Sequence, residues 1–299
     1  MSTNVQVKKN LFNRTQIIGL VIAVIALVGM YLVPASEALG RPGINTLGVL
    51  VAIIAMLICR TLPMGVIGIL AIPIFYFTGM VEKPAEALAG FSNPTTFFIL
   101  ASFGITAALV NTPVAKRMMR WVIHTFGRTT SGVLLAIMLT AGIVSSIMSN
   151  LPVVAAFLPL ADQFVKLFPE GEKRTRTACA FFIGVPIAGM AGGMITPAGA
   201  AINVMVMDRL QSAANIDISF LAWMIIGAPL GILTILFGWF FLKTIYKPAQ
   251  LTEEEISDYL ESLAVDKKWS VSEKKVLLIC GLMFALWIAS TWVSYLNTT

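Results

Sequence analysis

The sequence predicts an all-α, polytopic membrane protein that contains a re-entrant helical hairpin and a discontinuous helix. Three observations point there. Hydrophobic residues make up 58% of the 299 and charged residues 12%, roughly half the charge of a soluble domain. The apolar runs reach the length of about 20 residues that a spanning helix needs, and the alternating ten-residue segments of a membrane β-barrel are absent. Finally, two polar, breaker-rich stretches interrupt otherwise uncharged sequence: SSIMSNLPVV (145–154) and AGGMITPAGAAIN (191–203).

The elements follow in order. A basic start, MSTNVQVKKNLFNRTQ, leads into IIGLVIAVIALVGMYLV (17–33). That run is too long for a signal-peptide core and no small-residue cleavage site follows, so it reads as a retained first helix at about 16–33. Helices at about 44–59 and 62–79 form a hairpin that turns near Arg60. A fourth helix starts after FSNP (91–94), runs to about 111 and continues as a basic amphipathic piece, VAKRMMRWVIHTFGR (114–128). Two arms come next, at 131–150 and 151–164, then an apolar run at 177–194, a Gly/Pro-rich break, a short helix at 202–210 and a long span at about 219–243. A polar linker, 251–275, leads to a last span at 276–296. In the linker Ile256, Tyr259 and Leu260 share one helical face, which reads as an amphipathic surface helix and a structural tether.

The positive-inside rule orients this map. With the N-terminus in the cytoplasm, eighteen of the 21 Lys and Arg fall inside, and Arg41, Lys83 and Arg209 fall outside. The SNLP tip carries neither charge nor interfacial flank, so it is expected at the membrane midplane, with both arms entering and leaving from the cytoplasm. Cys59, Cys179 and Cys280 lie in apolar runs and read as buried small hydrophobes. The single histidine, His124, has no carboxylate or thiol nearby and reads as an interfacial residue beside Trp121.

Backbone that leaves helical geometry in hydrocarbon must be satisfied by protein or must line a cavity. Pro152 suits the first turn of a new helix, with Asn150 or Ser149 as its N-cap, and Pro197 marks a second restart. Helix N-termini at depth attract anions, and serine, asparagine and backbone oxygens suit a hard cation such as Na⁺. Paired discontinuous helices are the build of a secondary-transporter site. The alternative reading is that small residues allow tight helix packing while the serines bond back to carbonyls. No Asp or Glu lies between Glu86 and Asp162, or between Glu172 and Asp208. A proton relay through an intramembrane carboxylate is therefore disfavoured, and a coupling ion would be held by neutral oxygens.

The paired motifs resemble the divalent anion/sodium symporter family of the ion transporter superfamily. In that family a hairpin tip carries Ser-Asn-Thr and a broken helix carries GG-x-x-T-x-x-G-T-P-P-N. Here the tip reads Ser149-Asn150-Leu151, and GGMITPAGAAIN keeps Gly192, Gly193, Thr196, Gly199 and Asn203 at the family spacing. The stretch 91–118 also resembles the family helix before the hairpin. The resemblance covers roughly 45–245.

It implies Na⁺-coupled uptake of a dicarboxylate, tricarboxylate, sulfate or similar anion by an elevator motion, in a homodimer in the plasma membrane. Ser145, Ser149 and Asn150, with carbonyls around Gly193 and Gly199, would form a sodium site. Asn150, Leu151, Thr196, Ala200 and Ala201 would face the anion, with Pro197 and Asn203 shaping the break. Leu151 stands where the family has threonine, and Ala200-Ala201-Ile202 where it has TPP, so a more apolar organic anion, or a different coupling scheme, is expected.

In the same terms, 1–43 is an N-terminal segment with the first helix, 44–128 scaffold-like and 129–218 transport-like. Residues 219–250 are a long membrane helix, 251–275 a cytoplasmic amphipathic linker and 276–299 the last membrane helix. Family members carry two inverted repeats, and 204–299 holds no second tip or GG-x-x-T pattern. The chain is thus expected to supply one repeat, as a truncated or split product, or to pair with a second copy or a second chain. A non-transporting membrane subunit or remnant is the alternative. An intramembrane enzyme is disfavoured, because no Ser/His, Ser/Lys or Asp pair is present. No cofactor is expected beyond the coupling ion, and the expected partners are a small anion and the lipid bilayer, not nucleic acid.

Overall fold

The computed structural model describes residues 13–34, 40–262 and 268–290. The basic N-terminal segment and the end of the expected last span lie outside these. The described helices form two compact units that divide between Asn93 and Pro94.

The first unit contains α1 (Arg14–Leu32), α2 (Arg41–Ile58), α3 (Met64–Phe77) and two four-residue turns, α4 (Pro84–Ala87) and α5 (Ala89–Ser92). Both α1 and α2 are long and apolar enough to cross a membrane. The last carbonyls of α1 have no intrahelical donor. The Arg41 guanidinium covers them, donating to Val33 O at 2.8 Å and Tyr31 O at 3.1 Å. The α2–α3 turn at Arg60 takes a left-handed φ of 48°, and Asn45 Nδ2 ties α2 to the end of α3 through Thr78 O at 2.5 Å.

The second unit starts with α6 (Pro94–Val110) and α7 (Val114–Phe126), bent from each other by 65°. A helical hairpin follows, α8 (Thr130–Ser145) and α9 (Asn150–Val165), then α10 (Glu172–Gly193), a short 3₁₀ turn (Pro197–Gly199), α11 (Ala201–Ala214) and α12 (Phe220–Tyr246). The linker contributes α13 (Glu253–Ser262), and α14 (Val271–Ala289) ends the described chain. Each hairpin arm has 16 residues, a rise of about 24 Å. A single arm therefore falls short of a hydrocarbon core of about 30 Å, whereas α10 and α12 are long enough to cross it. By length and composition the chain is a multi-pass membrane protein.

The hairpin is the centre of this unit. Val133, Leu134, Ala136, Ile137, Met138 and Ala141 of α8 are fully buried. At the foot of α9, Phe164 stacks on Phe181 at 5.0 Å and meets Tyr259 edge-on at 5.1 Å, an arrangement that adds to the area buried. The face predicted for the linker is the one that docks: Ile256 and Tyr259 are buried, and Tyr259 donates its hydroxyl to Leu160 O at 2.9 Å. Leu251 N–H and Ala249 N–H donate to the hydroxyls of Thr130 (3.0 Å) and Thr177 (3.1 Å). The linker is thereby tied to all three feet of the α8–α9–α10 group.

A charged tie joins α7 to the start of α14. Arg117 Nε donates to Glu273 Oε1 at 2.5 Å and its Nη2 donates to Lys268 O at 2.8 Å, while the guanidinium lies 4.7 Å from the Trp269 ring centre. The Arg117 hydrogen bond, aided by Ser270, holds the Glu273 carboxyl at about 2, below its ordinary 4.5. A depressed carboxyl stabilises the fold above its ordinary value, and that contribution is lost as pH falls through the folded one. The tie is thus complete at neutral pH and weakens only between about 4.5 and 2.

Candidate functional site

The two interruptions meet. In α10 the glycines Gly189, Gly192 and Gly193 face the hairpin, and they let its backbone come close. A Cβ on Gly192 would overlap the Gly142 backbone of α8, and one on Gly193 would overlap the Asn150 side chain. Asn150 itself is the first residue of α9. Its amide is thereby set against the end of α10 and the 3₁₀ turn.

Hydrogen-bond bookkeeping at this point is informative. The Ser145 hydroxyl lies 2.7 Å from Gly189 O and 2.9 Å from the Asn150 amide. It has one proton, so it cannot donate to two oxygens at once. With the Asn150 NH₂ facing inward the conflict is resolved. Its two protons go to the two nearer oxygens, Ser145 Oγ at 2.9 Å and Gly199 O at 3.1 Å. Ser145 gives its own proton to Gly189 O, and Gly189 O also lies 3.3 Å from the amide nitrogen. Amide orientation is assigned from such a network. The inward amide position is therefore ringed by three neutral oxygens from α8, α10 and the 3₁₀ turn. Those are the donors a hard, weakly held cation takes, and turning the amide over would add Asn150 Oδ1 to the set.

The second break is closed on itself. Thr196 is 1% exposed, its hydroxyl donates to Ser146 O of the hairpin tip and accepts from Gly199 N–H at 3.1 Å. Asn203, also buried, donates both amide protons, to Gly193 O at 2.7 Å and Thr196 O at 2.9 Å. These contacts satisfy carbonyls freed where α10 ends and pin the turn to the tip, as buried backbone groups require.

Of the residues singled out from sequence, the structure brings Ser145, Asn150, Gly193, Thr196, Gly199 and Asn203 into one cluster. Ser149 stands at the N-cap of α9, but its side chain makes no cap hydrogen bond, and its N–H donates to Thr106 Oγ1 of α6 at 3.4 Å. With Pro197, Ala200 and Ala201 it lines a crevice against Phe98, Ile99, Ser102 and Phe103 of α6. The crevice holds about 20 Å³, room for a single water. Leu151 projects outward, 80% exposed. Ala200 caps α11 with extended backbone and no side-chain hydrogen bond, so neither helix that restarts here is capped by a side chain. Gly189 carries no polar side chain to flag it in the sequence, yet its carbonyl is part of the oxygen ring. Among the described residues no group of three or more His, Cys, Asp or Glu could hold a metal ion.

Two interrupted helices that meet through neutral oxygens inside an apolar bundle are the build found in the secondary-transporter class of membrane proteins. The chain belongs to the sodium:sulfate symporter family: the profile of the sodium:sulfate symporter transmembrane region matches residues 14–299. This is a family of transporters rather than enzymes. The chain is 27% identical over 286 residues to the sodium-dependent dicarboxylate transporter SdcS of Staphylococcus saprophyticus, an overlap of 93% of this chain and 55% of that protein. It is 24% identical over 295 residues to SdcS of Staphylococcus aureus strain USA300, covering 94% of this chain and 56% of that protein. The chain thus spans about half the length of the curated relatives it matches.

Proposed function

We propose that this chain forms one half of the ion and anion site of a sodium-coupled transporter for a dicarboxylate or related organic anion. The observation that carries this reading is the ring of Ser145, Gly189 and Gly199 oxygens around the Asn150 amide. In the sodium-free state the NH₂ group stands in for the cation. When Na⁺ enters, the amide turns and Asn150 presents its oxygen. The names of the staphylococcal relatives support sodium as the coupling ion and a dicarboxylate as the cargo.

The anion lies beside the tip, against Asn150, Leu151, Ala200 and Ala201, where the uncapped N-termini of α9 and α11 supply N–H groups and positive dipole ends. Leu151 and the two alanines make this wall more apolar than a threonine-lined one. Thr196 serves as the brace between the two breaks rather than as a direct ligand. Ser149 acts through its crevice position. The hairpin is re-entrant, with its tip at the membrane midplane and its feet at the cytoplasmic side of the plasma membrane, where the N-terminus also lies. The remaining wall comes from a second repeat, on another chain or another copy, and the α8–α12 body moves as an elevator within a homodimer.

The test is uptake of a labelled dicarboxylate into proteoliposomes holding the chain alone or with a chain that supplies the remaining length of the relatives. A sodium gradient should drive uptake in the completed assembly, and Asn150→Ala should abolish it while membrane insertion persists. Absence of any sodium or dicarboxylate response in both preparations would instead make the protein a non-transporting subunit. Wild-type uptake in the variant would remove Asn150 from the site.

A further inference from the structure

The helix α7 has two faces with different fates. Its apolar side is used up inside the protein: Val114, Met119, Val122 and Ile123 are all buried in the cluster that also holds Val133 and Ile137 of α8. An amphipathic helix that merely floats on a bilayer would put that side into lipid. Here the outward side is what remains for the surroundings. At about 100° per residue, Lys116, Arg120 and His124 run along one line of that side, with Trp121 next to it and Arg128 just past its end. All five are exposed, Trp121 to 70%.

No acidic residue occurs in 114–128. Lys116, Arg120 and Arg128 also make no ion pair with a described carboxylate, the one carboxylate tie of this segment being Arg117 with Glu273. The 65° bend turns α7 out of the direction of the apolar helix α6. A bend of that size suits a helix that runs along the bilayer surface. Its outward face meets the headgroup layer, where an exposed indole and long cationic side chains are both favoured.

We propose that the outward face of α7 is a binding surface for acidic phospholipid headgroups, with Lys116, Arg120 and Arg128 pairing to phosphates and Trp121 seated at the glycerol level. Each cation held near an anionic surface is worth about a fivefold gain in affinity, so three together give roughly a hundredfold. The effect should shrink with added salt, since these groups are solvent-accessible.

The test uses the 299-residue chain in nanodiscs carrying brominated phosphatidylglycerol or, at equal mole fraction, brominated phosphatidylcholine. The fluorescence of Trp121 is isolated by subtracting the signal of Trp121→Phe. Brominated phosphatidylglycerol should quench Trp121 more strongly than brominated phosphatidylcholine. The variant K116A/R120A/R128A should quench equally with both lipids while melting like wild type in pure phosphatidylcholine. The charge-keeping variant R120K/R128K should retain the preference, which guards against a folding effect in the alanine variant. Equal quenching in wild type, or a preference that survives in the alanine variant, would overturn the proposal. So would loss of the preference on adding inorganic phosphate at constant ionic strength, because that marks a site for free phosphate rather than a lipid surface.

Discussion

The tip of the hairpin and the break after α10 are built from similar residues, yet they do different things. Each has an asparagine, a proline and a hydroxyl within a few positions. At the break, Asn203 and Thr196 direct their polar atoms at the backbone of the break and the tip, and both are buried. At the tip, Asn150 faces a ring of oxygens, and its neighbour Leu151 stands out in the open. In the proposed reading one interruption is a brace and the other a receptor. The difference shows that a break in a membrane helix is not in itself a site. Only oxygens left with a replaceable donor can receive an ion, and the closed network next door is what holds those oxygens in place.

Adjacent glycines offer the sharpest way to break this comparison. Gly192→Ala sets a methyl group against the backbone of Gly142, where neither helix can yield, so the expected loss of stability is about 3 kcal/mol, at the upper end for overpacking. Gly193→Ala meets the Asn150 side chain first, which can swing aside. That variant should melt within roughly 1 kcal/mol of wild type, as side-chain relaxation allows, but it should lose sodium-dependent thermal stabilisation altogether. The measurement is a melting curve of the purified chain with and without Na⁺, since an ion that binds only the folded state raises its melting point. If both variants merely unfold, or if Gly193→Ala keeps the sodium response, the tip is no receptor.

Much of this architecture was readable in the sequence, because its signals are compositional. Uncharged runs marked the spans, and Pro152, Asn150 and the Gly192–Gly193 pair marked the breaks. The linker face of Ile256, Tyr259 and Leu260 followed from helical spacing. What stayed hidden has physical causes. Ser145 and Ser149 lie four apart and would share a helix face, but α8 ends at Ser145, so periodicity does not carry across the tip. Only Ser145 turns into the oxygen ring. Gly189 contributes a backbone carbonyl, which leaves no trace in a side-chain pattern. The partners Arg117–Glu273 and Tyr259–Leu160 are 156 and 99 residues apart, and nothing local announces either of them.

The two asparagines give a second, smaller contrast. Asn203→Ala strips the donors from two buried carbonyls, Gly193 O and Thr196 O. At about 1–3 kcal/mol for each orphaned group, it should destabilise the chain clearly, by roughly 2–4 kcal/mol, and cost sodium binding only as a consequence. Asn150→Ala should do the reverse. It orphans a single carbonyl, Gly199 O, since Ser145 still serves Gly189 O, so the loss of stability should be about half as large, roughly 1–2 kcal/mol, while the sodium response disappears. Melting curves of both variants with and without Na⁺ decide between these outcomes. An Asn203→Ala chain that melts like wild type but ignores sodium would exchange the roles assigned to the two breaks.

The smallest effect is expected at Leu151, and it bears on the receptor side of the comparison alone. The residue is 80% exposed at the head of α9, so Leu151→Thr should leave stability within about 0.5 kcal/mol, as is usual for surface positions. Threonine adds a hydroxyl donor beside Asn150 and the free N–H groups of the first turn, the spot where an anion's oxygens would lie. In the completed transporter the preference among anions should therefore shift toward more hydrophilic ones by a few-fold, the order of one added neutral hydrogen bond, while the sodium dependence of uptake keeps its midpoint. Uptake assays comparing a short dicarboxylate with a longer, more apolar one would register the shift. An unchanged preference would mean that the anion never reaches the tip and that the Asn150 ring serves the cation only.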